Sequence, residues 1–173
     1  SFPTRRSSDL SFYDQVKANT YVGSLDLTLK RWNWIVCGQV DYGYISDTPQ
    51  LNQAKINQRG TSPYNKTYVG KNAYTAGIEA GYDVFSQIQS LRRDNQKLYV
   101  FGRYEQYDSY VPANTQPKAT NDYTKRTNIV CGVNYYPIPQ IAIKADYALR
   151  KLKNPCNNEP SINIGIAYEG FFL

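Results

Sequence analysis

The chain contains no histidine and no methionine among its 173 residues. Without histidine, the common Ser-His-Asp and Cys-His catalytic arrangements cannot be assembled, and neither can a histidine-based metal site. Cysteine is scarce as well, and Cys37, Cys131 and Cys156 show no CxxC or metal-like spacing. We therefore expect three free thiols, no metal, no cofactor and no enzymatic activity.

Long apolar runs are also missing, and the mean hydropathy is −0.60. The missing runs exclude a transmembrane helix but not membrane-spanning strands, because only half of the residues in such a strand face lipid. The formal net charge is +6, yet the basic residues form no long run and match no nucleic-acid-binding motif. We therefore expect no nucleic-acid partner.

Seven stretches of the chain instead alternate apolar and polar residues. Residues 140–150 are the clearest case, because Ile141 and Ile143 share one parity while Lys144 and Asp146 share the other. A pleated strand turns such a sequence into one apolar face and one ionic face, whereas a helix would place Lys144 on the stripe of Ile141. The seven stretches are 21–30, 32–44, 74–85, 97–107, 127–136, 140–150 and 161–172.

The joins between these stretches alternate in length. The shorter joins are Arg31, 86–96 and 137–140. The longer joins, which are rich in Asn, Pro, Lys and Gln, are 46–71, 111–126 and 151–160. In an up-and-down meander, consecutive joins lie at opposite ends of the sheet, so all long loops gather at one end. The predicted fold is therefore all-β, an antiparallel up-and-down meander of about seven strands that forms the C-terminal part of a transmembrane β-barrel.

Aromatic residues on the apolar parity are sorted by strand end. Those near the shorter joins, here called the short-join girdle, are Trp32, Trp34, Tyr82, Tyr135 and Tyr168. Those near the longer joins, the long-loop girdle, are Tyr21, Tyr42, Tyr44, Tyr74, Tyr104 and Tyr147. Two aromatic girdles around an aliphatic band are typical of a barrel in a lipid bilayer. The alternative is a soluble barrel or sandwich whose apolar face points inward, which predicts no such sorting.

The ionic face carries the candidate functional residues. They are Asp26, Lys30, Asp41, Glu79, Asp83, Arg103, Glu105, Lys144, Asp146, Arg150 and Glu169. We predict that they line a water-filled lumen, where opposed charges set ion preference. The alternative is a structural ladder of cross-strand pairs that never contacts a solute. Glu79 and Asp83 lie about 13 Å apart along one strand, too far for a catalytic dyad.

The two ends of the chain are interpreted separately. Residues 1–10, SFPTRRSSDL, resemble translated sequencing-library adapter, so we assign them to an adapter-derived or disordered segment, with a genuine polar linker as the alternative. Residues 11–173 are assigned to one partial outer-membrane β-barrel. Because the chain has no start methionine, we interpret it as a fragment or a processed product.

Three segments in the second half carry a family resemblance. They read YVFGRYEQYDSY, TNIVCGVNYYPIPQIAIKADYALR and NNEPSINIGIAYEGFF. They resemble the last four strands of bacterial outer-membrane porins, in particular the group that includes the phosphate-selective porins. The resemblance implies a closed barrel of more than seven strands, often a homotrimer, that conducts small hydrophilic solutes or ions. Acidic residues outnumber basic ones on the ionic face, which departs from a purely anion-selective pore.

The leading hypothesis is therefore passive diffusion through a porin in the bacterial outer membrane. A second hypothesis is a receptor or adhesion barrel whose long loops bind a ligand. A third is a soluble ligand-binding β-barrel.

Overall fold

The described part of the chain is one antiparallel sheet. A computed structural model describes residues 16–57, 68–113, 124–153 and 156–168. Its seven strands follow one another in sequence order across the sheet. They are β1 (Thr20–Arg31), β2 (Trp34–Ile45), β3 (Asn72–Asp83), β4 (Lys97–Val111), β5 (Lys125–Ile138), β6 (Ile141–Leu152) and β7 (Glu159–Tyr168). The prediction of an all-β, antiparallel up-and-down meander is confirmed.

Helices are short and lie in the connections. They are α1 (Thr48–Asn57), a 3-10 helix (Val84–Gln87) and α2 (Gln89–Arg93). In the part of the chain described, none of the helices is long and apolar enough to cross a membrane. The segment assigned to adapter-derived sequence, residues 1–10, lies outside the described residues.

The strand register keeps apolar and polar residues apart across the whole sheet. Leu25 lies opposite Val40, and Val40 lies opposite Ala76. On the other parity, Ser24 lies opposite Asp41. A slip of one residue at any strand pair would exchange the two faces, so the alternation fixes the register. The predicted apolar face and ionic face both follow from this pairing.

Several strands extend beyond their predicted ends, and the added residues include charges on the apolar parity. Arg31 lies opposite Trp34 at the short-join end. Asp108 lies opposite both Tyr74 and Lys125 at the long-loop end. These charges lie at the ends of the apolar face, where water can solvate them.

The β1–β2 connection is a two-residue turn made by Trp32 and Asn33. Both residues have positive φ, 48° and 68°, as a type I′ hairpin turn requires. Sequence analysis placed Trp32 inside the second strand, but β2 begins at Trp34. Tryptophan is unfavourable in this conformation. A positive φ costs roughly 1–3 kcal/mol at a residue other than glycine, asparagine or aspartate.

Asp83 ends β3 and organises the connection that follows. Its Oδ1 accepts hydrogen bonds from the backbone N–H of Phe85 at 3.2 Å and of Leu98 at 3.1 Å. Residues 84 and 85, which the sequence analysis assigned to the strand, therefore turn into the 3-10 helix. Asp83 is only 7% exposed, so this predicted lumen residue directs its carboxylate at the backbone of the β3–β4 connection.

The long β2–β3 connection contains α1, which the sequence analysis did not predict. Asn52 lies in this helix and is 2% exposed. Its side-chain amide donates to the carbonyl of Val69 at 2.9 Å and accepts from the N–H of Val69 at 2.6 Å. The Asn52 amide thus bonds to both backbone polar groups of Val69, as a neighbouring strand would, and holds α1 against the residues that lead into β3.

Candidate functional site

The sheet curls so that its ionic face is concave. Two valines of the interior strand β5 differ in this sense, because Val130 on the ionic face is 9% exposed and Val133 on the apolar face is 38% exposed. Together with the two hollows described below, which are lined mostly by ionic-face residues, this difference indicates that the ionic face is the inner side of the curl. On the same convex apolar face, Ile129 is also 38% exposed.

The hollows in the sheet lie on this concave side. A first hollow of about 260 Å³ spans β1 to β4. Its ionic-face lining consists of Asp26, Thr28, Cys37, Gln39, Thr75, Gly77, Glu79, Arg103 and Glu105. A second hollow spans β4 to β7 and includes Arg103, Asn128, Asp146, Arg150, Glu159 and Asn163. Predicted lumen residues from four different strands, β1, β3, β4 and β6, therefore line these two hollows, which share Arg103.

Among the described glycines, Gly132 in β5 has the least room for a side chain. Gly132 lies on the ionic face directly opposite Asp146. A Cβ atom at Gly132 would lie 2.5 Å from the carbonyl oxygen of Ala145 and 2.6 Å from Cβ of Asp146. Both contacts are shorter than van der Waals distance and involve atoms fixed by the ladder. Gly132 therefore permits the close approach that bends the sheet.

Five charged residues of the ionic face pair across neighbouring strands. Arg103 contacts Glu79 at 2.7 Å, and Arg150 contacts Glu159 at 2.9 Å. Asn163 donates to Asp146 at 2.7 Å. Each of these pairs joins residues that lie directly opposite each other in the ladder. Cross-strand polar pairs are thus present on the ionic face.

Other predicted lumen residues occupy the same face with different surroundings. Asp41 accepts from the Gln39 amide at 2.9 Å and from the hydroxyl of Ser24. Glu105 accepts from the Asn128 amide at 3.4 Å. The ionic-face register also includes Asp26, Lys30 and Lys144. Glu169 lies outside the described residues.

The sequence analysis missed three charges of the ionic face. They are Lys97, Arg126 and Glu159, at the ends of β4, β5 and β7. Glu159 is the ion-pair partner of Arg150. Extending the alternation of the last stretch by one step of two residues, from residue 161 back to residue 159, would have found it. With these additions the acidic and basic residues of this face are close to balanced.

Some apolar residues also lie on the ionic face. The rings of Tyr99 and Tyr136 meet edge to face, 6.0 Å apart. Phe101 lies opposite Gly81 and Gly132, and its Cβ is 3.4 Å from the Cβ position of Gly81. Packing a ring beside strand glycines fills the space that they leave. These exceptions in the alternation thus form a packed aromatic patch toward the short-join end.

Some aromatic residues of each predicted girdle lie close together on neighbouring strands of the apolar face. Trp34 and Tyr82 are ladder neighbours in the short-join girdle, with ring centroids 4.9 Å apart. In the long-loop girdle, Tyr21 and Tyr44 approach to 6.2 Å, and Nζ of Lys71 lies 5.6 Å from the ring centroid of Tyr44. Trp32, by contrast, projects from the turn and is 75% exposed.

The girdles cross the hydrogen-bonded ladders at an angle. Tyr82 lies directly opposite Trp34 in the ladder. When this level is followed through the register, Tyr135 lies two residues beyond it toward the short-join end, and Tyr168 lies two residues further still. The long-loop girdle drifts in the same direction from Tyr42 to Tyr147. The girdles therefore shift by about one residue per strand, which is about 3.3 Å along the strand for each 4.8 Å between strands. This shift means that the strands are tilted by about 35–40° from the line perpendicular to the girdles.

Two of the three cysteines lie on opposite faces of the sheet. Cys37, Cys131 and Cys156 are free thiols, as predicted. Cys37 lies on the ionic face, where its Sγ is 3.8 Å from Oγ1 of Thr28. Cys131 lies on the exposed apolar face. Each face of the sheet therefore has one cysteine that a thiol reagent can modify.

Comparison with known proteins gives a distant relative. No protein-family model matches the chain, and no solved structure matches it. An uncharacterized protein of Aquifex aeolicus (strain VF5) is 27% identical over 147 residues, which cover 82% of this chain and 31% of that protein. The chain thus spans about a third of the length of the curated relative that it matches.

Proposed function

We propose that this sheet is part of the wall of a porin in the bacterial outer membrane, through which small hydrophilic solutes or ions diffuse passively. The observation that carries the proposal is the direction of the curl. The ionic face is concave and holds the hollows, while the apolar face is convex. A barrel continued with this curvature encloses a polar lumen and presents its apolar side outward.

The exposed apolar side supports a lipid environment. Ile162, Ile164 and Ile166 follow one another along β7 and are 76%, 80% and 77% exposed. Exposure continues across the apolar face at lower values on the interior strands, for example 56% at Ile78 and 38% at Ile129. An apolar surface of this extent is stable in water only when a partner covers it. The two aromatic girdles that bound it favour the bilayer as that partner.

The unpaired edges support further strands in the complete protein. In the described sheet, β1 pairs only with β2 and β7 pairs only with β6. An unpaired strand edge in a membrane leaves backbone N–H and C=O groups without partners, which costs several kcal/mol per group. The proposed barrel therefore closes through additional strands, and assembly into a homotrimer remains part of the proposal.

The two other hypotheses fit the geometry less well. A soluble β-barrel that binds a ligand inside needs its apolar face on the concave side, and the curl is opposite. A receptor barrel needs a ligand-binding arrangement in the long loops. The described loop residues that are fixed, such as Asn52 with Val69, stabilise the loop itself.

Cys37 and Cys131 provide the experiment. After Cys156→Ser substitution, a charged, water-soluble thiol reagent is expected to modify Cys37 at least tenfold faster than Cys131 when the complete protein is reconstituted in vesicles. The physical reason is that lipid excludes a charged reagent from the apolar face. In planar bilayers, modification of Cys37 is expected to lower single-channel conductance.

The control is the urea-unfolded protein, in which both thiols should react alike. Faster reaction of Cys131, which is the more exposed of the two thiols in the sheet itself, would contradict the assignment of faces. A complete protein that stays non-conducting at all voltages would rule out the pore.

The Glu79–Arg103 pair gives a prediction on ion selectivity. Glu79→Gln leaves the Arg103 charge unopposed at the wall, so we expect the anion-to-cation permeability ratio to rise about twofold or more. The free energy of unfolding should change by less than about 1 kcal/mol, because the pair is partly exposed. Reversal potentials in a salt gradient measure the ratio. The double variant Glu79→Gln/Arg103→Gln is the control and should restore it, and an unchanged ratio in the single variant would place this pair away from the ion path.

A further inference from the structure

We propose that the rim around the β1–β2 turn is a binding site for the headgroup phosphate of an anionic phospholipid. This inference rests on the proposed function, because it takes the sheet as membrane-spanning. It goes further by assigning one defined lipid site to named residues at the short-join end of the barrel.

The site is a hollow at the edge of the sheet, here called the rim hollow. Its side chains come from the two residues before the turn, from the turn itself and from the starts of β2 and β4. The charged and aromatic residues that line it are Lys30, Arg31, Trp32, Trp34, Lys97 and Tyr99. Three of them are cations, and no carboxylate belongs to the described lining. Such a site favours an anion.

The rim hollow joins the two faces of the sheet. Lys30 and Lys97 lie on the ionic face, while Arg31 lies on the apolar parity opposite Trp34. A solute in the lumen would contact only the first two cations. A ligand that contacts all three must lie across the boundary between the apolar face and water, which is where a phospholipid headgroup lies.

The neighbouring carboxylate, Asp83, makes no ion pair with a cation of the rim hollow among the described contacts. Asp83 lies opposite Tyr99 in the ladder, but its carboxylate accepts hydrogen bonds from the backbone N–H groups of Phe85 and Leu98. The guanidinium of Arg31 instead lies over the ring of Trp32, with Cζ 3.9 Å from the ring centroid. Stacking leaves the edge of the guanidinium free to donate to phosphate oxygens.

Trp32 supplies independent support. It combines a positive φ of 48° with 75% exposure, so the backbone conformation disfavours tryptophan there and, apart from the stacking of Arg31, little of the ring packs against the described sheet. Asparagine or glycine would suit a type I′ turn better. An indole is favourable at the headgroup level of a bilayer, and short turns of outer-membrane barrels face the periplasmic side. The bilayer interface therefore favours tryptophan at this position, whereas the turn does not.

The test uses the complete protein in a neutral detergent, with native mass spectrometry to count retained lipid. Phosphatidylglycerol is titrated against the unmodified protein, Arg31→Gln/Lys97→Gln and the control Lys144→Gln, which removes a cation of the ionic face outside the hollow. We expect about tenfold weaker retention in the double variant, from the loss of two charge-assisted contacts, and retention within twofold in the control.

Further arms identify the ligand. Trp32→Asn should lower phosphatidylglycerol retention while leaving resistance to urea equal or higher, whereas a purely structural tryptophan would lower both. Equal retention of phosphatidylcholine, or displacement by millimolar inorganic phosphate, would overturn the lipid assignment. So would unchanged retention in the double variant. A channel that conducts but retains no phosphatidylglycerol overturns the rim site alone, while retention through these residues without conductance overturns the pore.

Discussion

Replacing Gly132 with alanine is expected to destabilise the folded protein by about 2–4 kcal/mol. The new Cβ would lie 2.5 Å from the Ala145 carbonyl oxygen, so β5 and β6 would have to separate locally. Urea titration monitored by tryptophan fluorescence in detergent micelles measures the loss. The yield of heat-resistant folded protein on a cold gel should fall in parallel.

Gly165→Ala is the matched control for this variant. Gly165 also lies on the ionic face, opposite Lys144 of the same strand β6, and nothing lies within 4 Å of its Cβ position. Its substitution should change the free energy of unfolding by no more than about 1 kcal/mol, in the stabilising direction that glycine removal from a strand predicts. Equal losses at both positions would show that the Gly132 approach does not determine the curvature.

Leu27→Arg should have an effect of similar size for a different reason. Leu27 is 58% exposed on the apolar face and lies level with Gly38, about midway between Trp34 and Tyr42 of β2. An arginine at the centre of a bilayer costs about 2–4 kcal/mol in a barrel, falling to about 0–1 kcal/mol near the interface. We expect that loss in bilayers formed from diacyl lipids, measured by reversible urea unfolding.

Two controls separate lipid from protein surroundings. Thr28→Arg places the same side chain one residue away on the ionic face, and its effect should be below about 0.5 kcal/mol. Tyr21→Arg places it on the apolar face at the long-loop girdle, where the loss should be about 0–1 kcal/mol. If Tyr21→Arg were as costly as Leu27→Arg, the apolar face would be covered by protein rather than by a bilayer of defined depth.

The alternation of residue types predicted most of the fold because a strand has a period of two and the ladders are regular. Once Ile141 and Lys144 are placed on opposite faces, every neighbouring strand in register must follow. The same logic placed Glu79, Arg103 and Asp146 together on one face. The direction of curvature did not follow from it, since an alternating pattern is the same whichever face is concave.

The alternation pattern is uninformative where the local backbone decides the residue's role, as in a turn, a connection or a close approach of two strands. Trp32 has the apolar character of a strand residue, but the positive φ of a two-residue turn is set by the pairing of Arg31 with Trp34. Asp83 follows the parity of lumen residues, yet its carboxylate satisfies two backbone N–H groups of the connection. Gly132 has no pattern signal, because its role depends on a close approach to Asp146 that only the structure reveals.

If the sheet spans a bilayer, as proposed, the spacing of its aromatic girdles determines which membrane thickness suits it. Eight residue steps separate Trp34 from Tyr42 along β2, about 26 Å of strand at 3.3 Å per residue. With the tilt described above, that length projects to a hydrophobic thickness of about 21 Å along the bilayer normal. A bilayer with a hydrocarbon core of about 30 Å would have to thin around such a wall, at a cost for every ångström of mismatch. The thin outer membrane is the bilayer in which this mismatch is smallest.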